Sequence, residues 1–465
     1  MSGTNIVQVN VSLQQAPLPS TLQQTGAFIS QGATHLASQG PILSNPITQM
    51  SDLLSIIAAP GVNSSLTWTG GVVTATTAGG HGYTIGDQIN LSIAGATPVA
   101  YNGFHLATIT GASTYTYSLP TNPGTSPATT PGTYTPEDVS ELIAMGTTYF
   151  AQGSAQAVYV LELGLGSVTE GVATLTTYLD DNPQQLYAVL VPRIWDVNSA
   201  FLALIASYES PTSLFYFYVT TTEANYTQYT ALMKDVVTMI EAPGNPVTEF
   251  SLAAAFYRLL SQNPGPTNKL PPFAFAQQFG VTPYPTAGNG SLLTSLKAAG
   301  VNVIRTGAEG GLTNTYLYWG TTMDGRDIAY WYSIDWVQIQ SQIALANEVI
   351  NGSNTPLNPL YYDQFGINRL QAREAGVMTN AVTFGLATGT VIQTEFDGNQ
   401  LAVALDNDTF VNQCVVNAVP FVSYATALPS DYRVGKYGGL AVVFIVNRGF
   451  TLIVLNIVAT DFVTF

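Results

Sequence analysis

The chain has 465 residues, with 28 acidic side chains against 12 basic ones, a formal net charge of −16, and only 9% of its residues charged, against about 25% in an average soluble domain. No Lys or Arg precedes Arg193, whereas nine acidic residues do. Nucleic acid and anionic membranes are bound through clustered basic side chains that neutralise phosphates, so the composition argues against both, and against a phosphate-binding role in general.

A chain this weakly charged, with a mean hydropathy of +0.22, must hide much of its surface or coat it with uncharged polar side chains. Both habits suit secreted or assembly-forming proteins. The length allows a large core and suggests two to three domains. Cys414 is the only cysteine, which excludes an internal disulfide framework and points to a reducing compartment. Its apolar neighbours in VNQCVVNAV predict a buried structural thiol rather than a nucleophile. The opening MSGTNIVQVNVS lacks the basic and apolar regions of a secretory signal. Residues 440–465 are the most apolar stretch, but Asn447, Arg448 and Gly449 break it into runs shorter than the about 20 residues needed to span a bilayer. It reads as strand, turn and strand.

In chain order, Ile6, Val7, Val9 and Val11 alternate as in a strand, and Gln14, Gln15, Pro17 and Pro19 follow as an extended arm. Residues 1–60 thus read as a strand and an arm with no core of their own. Over 63–135, Thr and Gly dominate and turn signals recur at Gly70-Gly71, Gly79-Gly80, Gly86-Asp87 and Asn102-Gly103. Strands over 72–76, 88–93, 104–109 and 114–118 make a small all-β module. A Pro/Thr/Gly-rich linker over 120–136 closes it and marks the clearest domain boundary.

Thr135 as N-cap, Pro136 at the first helical position and Asp138 in the first turn then predict a helix carrying Val139, Leu142 and Ile143. Continuous apolar runs over 157–163, 187–191 and 214–219 alternate with helix-length segments, including 231–240, in the rhythm of a parallel, doubly covered sheet. A helix over 292–299 stops at Gly300 and feeds a strand over 301–304. An aromatic hairpin is expected from 316–319 and 328–332 around Asp324-Gly325. Asp335, with Gln338 three residues on, is expected to cap a helix whose Trp336, Ile339, Ile343, Ala346 and Ile350 share one face, ending at Asn351-Gly352. The chain closes on β-rich segments and on Phe465, inside an apolar strand that has to be tied into a sheet, its own or a neighbour's.

Catalytic signatures are sparse. His35, His81 and His105 show no metal-ligand spacing and have no Cys partner, so satisfied turn or surface histidines are the preferred reading. Gly164-Leu-Gly166 lacks the third glycine of a dinucleotide fingerprint and suits a tight turn after a strand. Asp406 and Asp408 resemble the start of a calcium loop without its Gly and distal Glu, and read as a solvated turn, as do Asp180-Asp181. A pair of carboxylates for glycoside hydrolysis stays open, because such pairs need not be near in sequence. Aromatic segments could line a sugar cleft or form a subunit interface, and the interface reading accounts for the low charge along the whole chain. No catalytic, cofactor or metal site is assigned.

The run KAAGVNVIRTG from Lys297, then Gly310-Gly311, then YLYWGTTMDGRDIAYWYSIDWVQIQSQI from Tyr316, resembles the common part of contractile tail sheath proteins of bacteriophages. Gly300, Asn302, Ile304, Trp319, Gly320 and Thr322 carry the match. The closing YGGLAVVFIVNRGFTLIVLNIVATDF is similar to the last strands of such subunits, and the module over 63–135 resembles add-on domains of virion proteins. One departure is Thr321, which stands where the family pattern usually has Arg.

The resemblance implies a mixed α/β fold with a doubly covered mixed sheet, an inserted small all-β domain and terminal strand-exchange arms. Its divisions would be 1–60 (arm and start of the core), 61–135 (outer β-domain), 136–410 (core) and 411–465 (C-terminal β-rich region). It further implies a homo-oligomeric helical sheath or stacked rings around a tail tube, with baseplate and terminator proteins as partners, in a virion assembled in the host cytoplasm. Such a sheath needs no cofactor, nucleic acid or membrane insertion. Strand addition between subunits would use Ile6, Val7, Val9 and Val11 at one end and Ile453, Val454, Leu455, Ile457, Val458, Phe462 and Phe465 at the other. The alternatives weighed beside it are a carbohydrate-active enzyme and another virion protein, such as a tube or adhesin subunit.

Overall fold

The computed structural model describes residues 19–153, 156–230, 234–241, 248–285, 289–307, 314–388 and 414–450. At its centre is a six-stranded sheet in the order β12 (Val236–Ile240), β11 (Tyr216–Thr221), β10 (Ala188–Leu190), β1 (Gly26–Ser30), β9 (Tyr159–Glu162) and β2 (Ile42–Leu43). The first five run parallel, and β2 closes the far edge antiparallel to β9. Strands β1, β10, β11 and β12 are buried at every position, as expected where both faces of a parallel sheet are covered and the sequence runs apolar without alternation.

Side chains of the sheet alternate between two cores. Phe28, Val160, Leu190, Tyr218 and Met239 join one cluster with helices α2 (Glu137–Gln152), α5 (Leu252–Leu260), α7 (Ile328–Asn354) and α8 (Gln364–Thr383). Ala27, Ile29, Leu161, Val189, Phe217 and Val219 join the other with α3 (Val168–Asp181), α4 (Ser199–Tyr208) and α6 (Gly290–Ala298). Helix α3 starts on a complete capping box between Ser167 and Glu170. The turn from β9 into α3 passes through Gly164 and Gly166 at φ +92° and +155°, the tight turn that their spacing suggested.

The second unit is a closed antiparallel barrel in the order β3 (Gly61–Thr69), β4 (Val72–Thr77), β7 (Thr114–Ser118), β6 (Gly103–Gly111), β5 (Gln88–Ala94) and β8 (Thr133–Pro136). Leu66, Val73, Leu91, Ile93, Ile109 and Tyr115 fill it, and the Tyr115 hydroxyl is satisfied inside by Asn63 Oδ1 at 2.9 Å. Strand β8 lies in the stretch read as a linker. It pairs with both β3 and β5 and so closes the barrel. Helix α2 begins at the next residue, with Pro136 rather than Thr135 at its N-cap.

Several elements differ from the sequence expectation. Residues 1–60 do have a core: β1 is a fully buried interior strand, flanked in parallel by β9 and β10. Its GAFIS run is short, and the Pro- and Gln-rich texture before it masks it. Gly26 is required there, because a Cβ would lie 2.6–2.9 Å from Leu260 and Phe256. Within 231–240, the described end is strand β12 rather than helix, and its β-branched VVTMI run is the physical reason.

The aromatic hairpin is replaced by two other elements. Strand β14 (Thr315–Tyr318) pairs with β13 (Val303–Thr306) in the register Ile304↔Leu317. Ile328 instead begins α7, where Asp327 caps the helix by accepting from Ala329 N at 2.7 Å. The turn at Gly325 forms, but it leads into a helix. Asp180 and Asp181, read as a turn, are the last residues of α3. Asp406, Asp408, Gly310 and Gly311, and the side chain of Cys414, lie outside the described residues.

Phe28 is fully buried and meets Tyr149 edge-on at 5.4 Å. Phe28→Ala is expected to cost about 3–5 kcal/mol, the range for truncating a buried Phe, measured by urea denaturation. A loss under about 1 kcal/mol would show that β1 is not an interior strand.

Candidate assembly site

The six residues that carry the sequence resemblance converge on the β12 edge of the sheet. Gly300 follows α6 at φ +74°, and a Cβ there would sit 2.9 Å from the carbonyl oxygens of Thr322 and Met323. Only glycine allows that approach in that backbone region. Asn302 is fully buried. Its N–H donates to Thr238 O at 2.9 Å, its carbonyl accepts from Ile240 N, and a parallel bridge to Met239 extends the sheet by one residue.

The Asn302 amide then ties in a third segment. Nδ2 donates to Thr238 O at 3.0 Å and to Thr321 O at 2.6 Å, and Oδ1 accepts from Thr321 N at 2.8 Å. Trp319 and Gly320 turn the chain there at φ +71° and +59°. A left-handed Trp is strained by of order 1–3 kcal/mol, and its ring is held in the second core. Gly320 passes so close to Phe273 that a Cβ would meet its backbone at 2.7 Å.

Gly320 O accepts from Ile328 N, and Thr322 Oγ1 donates to Asp324 Oδ1 at 2.5 Å, which latches the turn directly before α7. Thr321 uses its hydroxyl on Gly300 O at 3.2 Å. Ile304 is buried in β13 within the first core. The arrangement is a buried joint between the sheet edge and the start of α7, made of amide and hydroxyl hydrogen bonds.

Helix α7 is pinned a second time by a group that sequence reasoning misplaced. Asp335 caps nothing: it lies inside α7 and is fully buried. Its carboxylate accepts from Lys234 Nζ at 2.9 Å, from Tyr187 Oη at 2.8 Å and from Tyr216 Oη at 2.6 Å. Lys234 also donates to Pro211 O at 3.2 Å and to Ser213 O, and stands 4.9 Å from the Trp331 ring. Burial raises the Asp335 carboxyl above the usual carboxylate range, while Lys234 and the two tyrosines pull it back. Asp335 opens a DxxQ pattern that imitates a cap. The signal missed is one acid inside the long aromatic run IAYWYSIDWV, matched by one Lys before the apolar β12.

Beyond α7, α8 packs back antiparallel. Its Arg369 and Arg373 both reach the buried Glu348 of α7, Arg373 Nε at 2.5 Å, and hold that carboxyl below its usual range, Arg373 contributing most. Against α8 lies a two-stranded antiparallel ribbon, β15 (Cys414–Ala418) with β16 (Leu440–Phe444), in the register Val416↔Val442. Val416, Val442 and Phe444 pack on the first core, and Gln371 Nε2 donates to Val416 O at 2.9 Å.

Among the described residues neither outer edge of this ribbon has a strand partner. Around it, α9 (Phe421–Ala427), α10 (Pro429–Arg433) and the α7–α8 tip expose Leu357, Phe365, Val422 and Val434, each at 67% or more. A two-stranded ribbon is marginal by itself, and open edges are templates for another strand. The predicted arm residues Ile6, Val7, Val9, Val11, Ile453, Val454, Leu455, Ile457, Val458, Phe462 and Phe465 lie outside the described residues.

The three histidines do not meet. His35 is exposed, His81 Nδ1 accepts from Tyr83 N, and His105 stacks on Tyr117 at 4.2 Å. Among the described residues no group of three or more His, Cys, Asp or Glu is placed to hold a metal ion. No helix among them is long and apolar enough to cross a membrane.

No family model matches the chain, and no curated protein matches it by sequence. Solved structures do match it in shape. A chain of the anti-feeding prophage (AFP) baseplate structure, 13% identical, superposes with a TM-score of 0.54 over 98% of this chain and 100% of its own. A chain of the AFP helical sheath in its contracted state, 11% identical, gives 0.55 over 98% and 99%. The sheath tail protein Lin1278 from Listeria innocua, 10% identical, covers 80% of this chain and 86% of its own at 0.40, too distant to weigh. The protein has the fold of a contractile-sheath subunit, matched over 98% of its length.

Replacing Asn302 with Ala leaves Thr321 N and Thr321 O without their side-chain partner, while Thr238 O keeps the backbone N–H of residue 302. A loss of about 2–4 kcal/mol is expected in urea denaturation, and an unchanged midpoint would refute the joint. For the buried ion pair, Lys234→Met and Asp335→Leu are each expected to cost about 3–5 kcal/mol. The double variant should lose less than the sum by about 2 kcal/mol or more. Strict additivity in the double-mutant cycle would mean that the two charges do not depend on each other.

Proposed function

We propose that this protein is the sheath subunit of a contractile injection apparatus, a phage tail or a prophage-derived particle of the same build. It polymerises helically around a tail tube, in contact with a baseplate at one end, and contracts to drive the tube forward. Its role is mechanical and needs no cofactor.

The observation that carries this reading is the β15–β16 ribbon. Among the described residues it is a short sheet with no strand partner on either outer edge, backed by α8 and α7 and surrounded by exposed apolar side chains. Strands from neighbouring copies would complete it, the arm at Ile6, Val7, Val9 and Val11 from one and the apolar end from Ile453 to Phe465 from another. Backbone hydrogen bonds would then hold the lattice while the subunit bodies rotate. The weak charge of the chain fits a surface spent mostly on neighbours.

The test is negative-stain microscopy with sedimentation of the full chain and of forms lacking residues 1–15 or 451–465. Long hollow tubes or stacked rings are expected from the full chain, and folded monomers from each truncation. Discrete monomers of the full chain at every concentration would overturn the sheath reading. Truncations that unfold would place the terminal strands in their own subunit and overturn strand exchange.

A further inference from the structure

A cavity of about 680 Å³ opens at the carboxyl ends of the parallel strands, where β1 is flanked by β9 on one side and β10 on the other. Its floor is formed by the ends of β11 and the turns that follow β1, β9, β10 and β12. Its far wall is β5 of the barrel and the first turns of α2. Reversal of strand order opens such a crevice, and open α/β sheets bind ligands there. Neither the joint nor the ribbon uses it.

Thr220 and Thr221 are 6% and 2% exposed, line the cavity, and have hydroxyls with no hydrogen-bond partner among the described residues. A buried hydroxyl left without a partner costs about 1–3 kcal/mol.

The charge of the lining decides what they could bind. Asp138, Glu141, Glu223 and Glu241 face the cavity with Arg193 as the sole basic side chain among its lining residues. The Arg193 guanidinium is already committed: Nε to Glu241 Oε2 at 2.9 Å, Nη2 to Glu249 O at 2.7 Å and Nη1 to Glu141 Oε1 at 3.4 Å. The N-terminus of α3, which could greet an anion, is answered by its own Glu170, which accepts from Ser167 N at 2.7 Å. An anion would therefore meet four carboxylates, with the one guanidinium of the lining already committed to them. Ile89, Val168 and Ile194 add an apolar wall.

We propose that this cavity binds a small organic cation, an ammonium or guanidinium group on a short aliphatic stem, with its head among the carboxylates and the Thr220 and Thr221 hydroxyls accepting from it. The stem lies against the apolar wall. The group can come from a free amine or from a Lys or Arg side chain of a second copy of this chain.

Isothermal titration of the full chain with agmatine and 1,5-diaminopentane, beside pentane-1,5-diol and pentanoate, tests this. The cations are expected to bind once per chain, about tenfold or more tighter than the diol, with no heat from pentanoate. Glu223→Gln should weaken the cations about fivefold and leave the diol unchanged. Thr221→Val should weaken them likewise while melting no lower than the wild type, because it removes an idle hydroxyl. Equal binding of diol and diamine, no binding of any cation, or affinities unmoved in both variants would overturn the proposal. Sedimentation with saturating agmatine separates the two sources: loss of self-association points to a basic side chain from another copy, and unchanged association to a free amine.

Discussion

A carboxylate with no exposure to water fixes the frame of this protein. Asp335 cannot stay charged inside a core unless both its oxygens are met, and here Lys234, Tyr187 and Tyr216 meet them from three sheet-side segments at once. The arrangement leaves α7 one rotational setting against the sheet, because a turn of the helix would strand the charge. Everything after α7 inherits that setting. Helix α8 lies against α7 through Glu348, and the ribbon lies against α8.

The joint at Asn302 complements the charge. Where Asp335 sets the rotation of α7, Asn302, Gly300 and the Trp319-Gly320 turn set where the helix begins relative to the edge of the sheet. One element uses a desolvated ion pair and the other neutral amides, so the two respond differently to pH and salt. Together they fix both the rotation and the starting point of α7, and through it the place of α8 and of the ribbon packed on it.

Much of this was legible from the sequence for physical reasons that can be named. The four strands β4, β5, β6 and β7 announce themselves by alternation and turn glycines, and β9, β10 and β11 by continuous apolar runs. The step from α6 through Gly300 to β13 follows from a C-cap glycine. What escaped was decided by tertiary context. GAFIS is too short and too small to stand out as an interior strand, and its worth lies in the fit of Gly26 under Leu260 and Phe256. VVTMI was lost in a longer segment of helix length. Asp335 imitated a cap because local patterns cannot show that Lys234, 101 residues away, is its partner. The joint was recognised through its residues, but its hydrogen bonds depend on a meeting of Thr238, Asn302 and Thr321 that spacing alone does not foretell.

The barrel hands directly into α2. Strand β8 ends at Pro136 and the helix begins at Glu137, with no slack chain between them. The same helix packs on β1 and α5 in the main body. An appendage on a loose tether would swivel freely and report nothing. This one is splined to a shaft: a push on its outer face arrives at the central sheet as a torque on α2, and a turn of the body sweeps the barrel through the same angle.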